Sequence, residues 1–122
     1  MSDRFTQMKV LLVEDEGVLR KMLVRSLTSL GFAEVVAAES ADAARVLVED
    51  GFAPDLLFSD IRMPGEMNGL EFAHWLRGRS PSLPVVLQTG FTEEDTSDFT
   101  VLRKPFDRAR LAQTLADALP GA

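Results

Sequence analysis

The 122-residue sequence contains no cysteine and a single histidine, His74. The absence of cysteine excludes a disulfide framework, thiol catalysis and zinc-finger spacing. It is compatible with a reducing cytoplasm, where we expect the protein to work. His74 lies beside Trp75 in a helical pattern, where a surface histidine is the simplest interpretation, and we assign it no role.

Long apolar runs and excess positive charge are also lacking. No apolar run approaches the roughly 20 residues that span a bilayer, and the N-terminal segment MSDRFTQMKV lacks the apolar core of a signal peptide. Thirteen basic residues stand against nineteen acidic ones, giving a net charge of −6. This balance argues against a large phosphate-binding face. We therefore expect no membrane segment and no direct nucleic-acid partner.

The chain is long enough for one hydrophobic core. Hydrophobic residues make up 46% of its 122 positions, which suits a single compact domain. We expect one domain over residues 1–122, with no output domain.

Short apolar segments alternate with amphipathic helical patterns. The predicted strands cover residues 10–13, 34–38, 56–58, 84–88 and 101–103, and the predicted helices cover residues 18–30, 41–48, 70–76 and 108–119. Ser40 and Asp107 are predicted N-caps, and Gly31 is a predicted C-terminal stop. On the first helix, Leu19, Met22, Leu23, Leu27 and Leu30 form the predicted inner face, opposite Arg20, Lys21 and Arg25.

The segment after the fourth strand departs from this pattern. FTEEDTSDFT, residues 91–100, has almost no apolar periodicity and predicts at most a short helix over residues 92–98. Thr92 and Asp95 have the spacing of a capping box.

The alternation of strand and helix predicts an α/β fold. Its simplest form is a doubly wound, five-stranded parallel sheet of order 2-1-3-4-5 with helices on both faces and a short or degenerate fourth helix. In that order Glu14, Asp15 and Asp60 meet where the first and third strands end. Thr89 and Lys104 end the fourth and fifth strands at the same edge.

Three clustered carboxylates require cations. Two such groups about 4 Å apart repel by roughly 4 kcal/mol at an effective dielectric constant near 20. Lys104 supplies one positive charge and a divalent metal would supply the rest. Oxygen ligands without nearby histidine or cysteine favour Mg²⁺, with Asp15 and Asp60 as direct ligands.

Four motifs in this order resemble the response-regulator receiver domain. They are an acidic pair after the first strand, Asp60-Ile-Arg-Met-Pro after the third, Thr89-Gly after the fourth and Lys104-Pro after the fifth. The resemblance implies a flavodoxin-like receiver fold and a cis Lys104-Pro105 peptide bond. It also implies that Asp60 accepts a phosphoryl group, that Thr89 and Lys104 contact that group, and that Glu14, Asp15, Asp60 and the carbonyl of Arg62 form the metal site. Glu14, longer than the aspartate often found there, is expected to act through water.

The resemblance also implies a function. It is that of a single-domain response regulator in a two-component or phosphorelay pathway, taking phosphate from a histidine kinase or histidine phosphotransfer protein and signalling to a downstream protein target. Such a protein is no ordinary enzyme, although it catalyses phosphorylation of its own Asp60 and its own dephosphorylation. Thr89 and Phe91 are the expected switch, because the aromatic follows Thr-Gly as in a stand-alone or hybrid-kinase-like subset, and Val101 occupies the usual aromatic position.

Three alternatives stay open on the sequence. A degenerate receiver would act only as a protein-interaction module. A flavodoxin-like ligand-binding module would bind a small ligand or flavin, although Glu14, Asp15 and Glu16 would repel an anion without a metal. A phosphatase would use Asp15 as its nucleophile and show sustained turnover of a phosphoester.

Overall fold

The computed structural model describes residues 3–90, 92 and 94–119. A short 3₁₀ helix at Asp3–Gln7 precedes the sheet. The strands are β1 Lys9–Val13, β2 Glu34–Ala38, β3 Leu56–Asp60, β4 Val85–Thr89 and β5 Thr100–Arg103. The helices are α1 Gly17–Leu30, α2 Ala41–Glu49, α3 Gly69–Arg79 and α4 Arg108–Ala118.

The five strands form one parallel sheet in the order β2-β1-β3-β4-β5, as predicted. β1 pairs with β2 on one side and β3 on the other, so that Val13 lies opposite both Ala38 and Ser59. Asp60 pairs with Gln88, and Thr89 pairs with Arg103. This register aligns the carboxyl ends of the central strands, which is where ligands bind in doubly wound sheets.

Side chains of alternate strand residues enter two separate cores. Leu11, Val13, Leu57 and Leu87 pack against α2 and α3. Val10, Leu12, Phe58, Val86 and Leu102 pack against α1 and α4. By the same alternation, Glu14 and Gln88 lie on the face covered by α1 and α4.

The helix ends follow short-range chemistry. Ser40 Oγ accepts from the N–H of Ala43, and Asp107 Oδ1 accepts from the N–H of Arg110, so both predicted N-caps are confirmed. Gly31 ends α1 with φ of 109°, the left-handed conformation that glycine adopts at least cost.

The connection between β4 and β5 contains no helix among its described residues, in agreement with the prediction of at most a short one. The expected capping box is wrong. Thr92 Oγ1 accepts from the N–H of Glu94, and Asp95 Oδ1 accepts from the N–H of Ser97. These bonds close two separate turns. The described residues of this segment form no helix, because no apolar stripe follows that would hold one against the sheet.

Three further observations bear on the sequence predictions. The Lys104-Pro105 bond is cis, as predicted. The prediction that Met22 lies on the inner face of α1 is wrong, since 59% of the residue is exposed. None of the helices among the described residues is long and apolar enough to cross a bilayer.

Candidate functional site

Asp60 lies at the end of β3 with 7% of its surface exposed. Its Oδ2 is 2.9 Å from the Nζ of Lys104, which follows β5. Its Oδ1 accepts a hydrogen bond of 3.3 Å from the N–H of Arg62. Each carboxylate oxygen therefore accepts a hydrogen bond from one donor, and a small part of the residue remains exposed to solvent.

Glu14 follows β1 and is almost fully buried. Its Oε1 accepts from Gln88 Nε2 at 3.1 Å, and its Oε2 accepts from the N–H of Glu16 at 3.1 Å. Lys104 Nζ is 3.9 Å from Oε1. The pKa of Glu14 is raised from 4.5 to about 7, chiefly because burial disfavours its charged form. The Glu16 N–H acts to lower this pKa, and the neighbouring Asp60 charge acts to raise it.

Glu14, Asp15 and Asp60 present carboxylate oxygens that all lie within 4.8 Å of one another. Asp15 is exposed, whereas the other two are buried, so the cluster opens to solvent on the side of Asp15. If all three are ionised, Lys104 offsets only one of their charges. The donor set consists of hard oxygen atoms and leaves two negative charges, which fits Mg²⁺.

A cavity of about 390 Å³ opens over the Asp60 carboxylate. It is lined by Asp60, Arg62, Thr89, Gly90 and Lys104. Thr89 is buried at the end of β4, and its carbonyl accepts a 2.9 Å hydrogen bond from the N–H of Lys104. An ammonium group and a hydroxyl residue thus share one opening with a carboxylate, which is a suitable environment for a phosphoryl group.

The backbone around Asp60 is fixed by close packing. Ser59 Oγ donates a 2.8 Å hydrogen bond to the carbonyl of Asp60, and the N–H of Gly69 donates to the carbonyl of Ile61 at 2.8 Å. A Cβ atom on Gly69 would collide with the Asp60 carbonyl oxygen and lie 2.9 Å from Ser59 Oγ. Gly69 therefore permits α3 to begin directly against the end of β3.

The structure brings together most of the residues predicted for the site. Glu14, Asp15, Asp60, Thr89 and Lys104 meet at one sheet edge. Arg62 lies at the same edge, and its carbonyl as a metal ligand stays a prediction. Phe91, predicted as part of the switch, lies outside the described residues.

Sequence reasoning missed three residues that support the site. Gln88, a polar residue inside an apolar strand pattern, holds Glu14. Gly69, at the start of α3, allows the close contact with Asp60. Arg20, predicted to lie opposite the inner face of α1, donates through Nη1 to the carbonyls of Glu14 at 3.0 Å and Asp15 at 3.4 Å. Of these three residues, only Gln88 could have been recognised from the sequence, because a glutamine within a buried strand requires hydrogen-bond partners.

Comparison with known proteins gives a consistent result. Residues 10–116 match the family profile described as the response regulator receiver domain. The chain is 43% identical over 79 residues, 65% of its length, to Regulator of RpoS of Escherichia coli. It is 39% identical across 93% of its length to the response regulator protein FleR of Pseudomonas aeruginosa. These alignments cover 23% and 26% of the two relatives, so the chain spans about a quarter of their length.

Solved structures show the same fold. A response regulator receiver protein from Sinorhizobium medicae superposes with a TM-score of 0.83 at 28% identity, covering 92% of this chain and 94% of that one. The chemotaxis protein CheY4 of Vibrio cholerae gives a TM-score of 0.81 at 29% identity, with coverage of 93% and 99%.

Proposed function

This chain belongs to the response regulator receiver domain family, and we propose on that premise that Asp60 accepts a phosphoryl group from a phosphohistidine donor. Proteins of this family act in two-component signalling as signalling modules rather than as enzymes with a separate product.

One observation supports Asp60 above the other acids. Its carboxylate lies beneath the 390 Å³ cavity, 2.9 Å from Lys104 Nζ, and shares the lining of that cavity with Thr89. Asp15 is exposed and does not line this cavity, and Glu14 is buried beside Gln88. Asp60 alone among the three combines access to the cavity with fixed cationic and hydroxyl neighbours.

Phosphoryl transfer needs only two reactants, the Asp60 carboxylate and the phosphorylated donor. An Asp60 carboxylate oxygen attacks phosphorus, a phosphorus–oxygen bond forms, and the bond to the donor breaks with its electron pair leaving on the donor imidazole. Lys104 and Thr89 contact the equatorial phosphoryl oxygens and stabilise their charge. Hydrolysis returns Asp60 and inorganic phosphate, so each chain carries at most one group at a time.

Glu14, Asp15, Asp60 and the carbonyl of Arg62 would hold the magnesium ion. When bound, Mg²⁺ supplies neutralisation of the phosphoryl charge. The residues themselves hold the acids in place: Gln88 and the Glu16 N–H orient Glu14, while the Arg62 N–H and Lys104 orient Asp60.

The donor would be a histidine kinase or a histidine phosphotransfer protein, and the output a contact with a downstream protein in the cytoplasm. The sensor kinase CckA of Brucella abortus matches 90% of this chain at 34% identity, which supports a phosphorelay context. Neither nucleic acid nor a membrane is proposed as a direct partner.

We further propose that Thr89 and Phe91 form the switch, with Thr89 drawn to the phosphoryl group by a charge-assisted hydrogen bond. Phe91→Ala should reduce the phosphorylation-dependent change in NMR shifts or partner affinity in protein that still takes up phosphate. If Val101→Ala removes that change and Phe91→Ala preserves it, the switch lies on β5 instead.

Intact-mass measurement after incubation with magnesium and acetyl phosphate tests the proposal. The wild type should gain one phosphoryl group, and Asp60→Asn should gain none. Asp50→Asn, at an exposed aspartate following α2, is the matched control and should behave as the wild type. Uptake by Asp60→Asn at the wild-type rate would overturn the proposal, and sustained turnover of a phosphoester would favour the phosphatase alternative.

A further inference from the structure

Arg20 lies one turn into α1, and its side chain reaches back toward the end of β1. Its main-chain N–H donates to the carbonyl of Glu16 at 2.8 Å, as the helix requires. Its Nη1 donates to the carbonyls of Glu14 at 3.0 Å and Asp15 at 3.4 Å. Because Nη1 carries two N–H groups, one nitrogen can serve both carbonyls. The guanidinium group therefore closes the turn between β1 and α1.

This contact is not explained by charge. Three acidic residues, Glu14, Asp15 and Glu16, precede the helix, yet Arg20 forms no salt bridge within the part of the chain that the structure describes. A positive side chain near the start of a helix is also unfavourable, because the helix dipole places partial positive charge at that end. What the contact does provide is a fixed shape for the turn.

The turn lacks the usual means of holding a helix start. The other three α-helices begin with a side-chain cap, from Ser40, Asn68 and Asp107. Glu16, which precedes α1, makes no side-chain hydrogen bond to the helix. The side chain of Arg20 thus ties the start of α1 to the preceding residues from within the helix, where a cap would act from outside it.

The same turn carries two members of the carboxylate cluster. Glu14 is held through its own carboxylate by Gln88 and by the N–H of Glu16. Asp15 is exposed, so the direction of its side chain depends on how well its backbone is fixed. Arg20 contacts that backbone directly. Ligand oxygens that are already in place bind a metal ion more tightly, because less conformational freedom is lost on binding.

We propose that Arg20 is a positioning residue for the magnesium site: by holding the backbone of Glu14 and Asp15, it keeps the Asp15 carboxylate directed at the metal. This inference rests on the proposed function, which assigns these acids to one metal site. Charge and positioning predict opposite results when Arg20 is replaced. A nearby positive charge repels Mg²⁺, so its removal alone should strengthen Mg²⁺ binding, whereas the loss of positioning should weaken it.

A titration of the ¹⁵N-labelled, unphosphorylated full chain with magnesium chloride, followed by the amide signals of Asp15 and Gly17, measures the affinity. Arg20→Met keeps an extended apolar stem and removes the donors and the charge. It should weaken Mg²⁺ binding roughly tenfold, the lower end of the effect of residues that orient metal ligands. Arg20→Lys keeps the charge on a shorter side chain and should weaken binding several-fold.

Lys21→Met is the matched control, because it removes the same charge from the exposed neighbouring position on α1. Its affinity for Mg²⁺ should stay within about twofold of that of the wild type, since exposed charges are screened by salt.

Phosphorylation by acetyl phosphate gives a second measurement. For Arg20→Met, the magnesium concentration that gives half of the maximal rate should rise roughly tenfold, and most of the lost rate should return at saturating magnesium. A variant with a damaged fold would instead lose rate at every magnesium concentration.

Three results would overturn the role of Arg20. They are Mg²⁺ binding by Arg20→Met that is as tight as in the wild type or tighter, an equal loss of affinity in Lys21→Met, and a rate that saturating magnesium does not restore. The predicted loss of affinity in Arg20→Met, found in a protein whose Asp60 takes up no phosphate, would support the role of Arg20 and overturn the proposed function instead.

Discussion

Opposing effects determine the protonation state of Glu14. Burial disfavours its ionised form, and the negative charge of Asp60 acts in the same direction. The Glu16 N–H and the Lys104 ammonium group act the other way. Because burial is the largest effect, the protein without metal binds a proton at Glu14 in a pH range where an ordinary carboxylate has already lost it.

This raised pKa predicts a pH dependence of stability. The pKa of Glu14 is about 7 in the folded protein against 4.5 ordinarily, so its favourable contribution is complete below pH 4.5 and is lost as the pH rises through 7. The unfolding free energy of the metal-free wild type should therefore fall by an amount on the order of 2 kcal/mol between pH 5 and pH 8. Glu14→Gln should abolish this fall. Urea unfolding at both pH values measures it.

Glu16→Gln is the control for this prediction, because Glu16 is exposed beside Glu14. It should leave the pH dependence of the unfolding free energy close to that of the wild type. Parallel curves for wild type and Glu14→Gln would show that Glu14 is ionised in the folded protein throughout this range.

The junction between β3 and α3 shows how elements position the reactive group. Asn68 and Glu71 form a reciprocal capping box, with bonds of 2.9 Å in both directions. Gly69 packs against the carbonyl of Asp60 with no room for a side chain. The start of α3 therefore packs directly against the backbone that carries the Asp60 carboxylate.

Two glycine substitutions in α3 should have opposite effects. Gly69→Ala should destabilise the protein by about 2 kcal/mol or more, because the added methyl group overlaps the Asp60 carbonyl and must displace it. Gly78→Ala meets no atom within 4 Å and should stabilise the helix by roughly 0.5–1 kcal/mol. Thermal unfolding compares them directly, and similar effects of both would contradict the packing at Gly69.

Short-range sequence patterns predicted the helices and strands well, and the contacts around them less well. Ser40 and Asp107 were predictable as caps because capping depends on a few neighbouring residues. Met22 was mispredicted because a helical stripe shows which residues share a face but not how wide the covered part of that face is. The path of residues 94–99 could not be derived, since Glu94 contacts Asn68 from 26 positions away.

At the scale of the whole molecule, topology explains why the site was predictable. Once the strand order is 2-1-3-4-5, the ends of β1, β3, β4 and β5 must share an edge, which places the predicted acids, threonine and lysine together. The roles of Gln88 and Arg20 depend on contacts between elements, and neither strand order nor periodicity contains that information.

The charge balance of the site predicts stabilisation by magnesium. An ion that binds the folded chain alone raises the unfolding free energy by about 2.7 kcal/mol at a hundredfold excess over its dissociation constant, enough to raise Tm by several degrees. Asp15→Asn should remove most of this increase, and Asp50→Asn should preserve it. The increase should be larger at pH 8 than at pH 6, because protons compete with the metal for Glu14.

Asp60 is the proposed phosphoryl acceptor, and locating the modified residue by mass spectrometry establishes directly whether it is. The chain is incubated with acetyl phosphate and magnesium, reduced with borohydride to convert an acyl phosphate into a stable alcohol, digested and mapped by mass spectrometry. We predict one reduced residue, Asp60, which is absent when magnesium is chelated. Reduction at Asp15 or Glu14 with Asp60 intact, or no reduction in folded, magnesium-loaded protein, would show that Asp60 is not the acceptor.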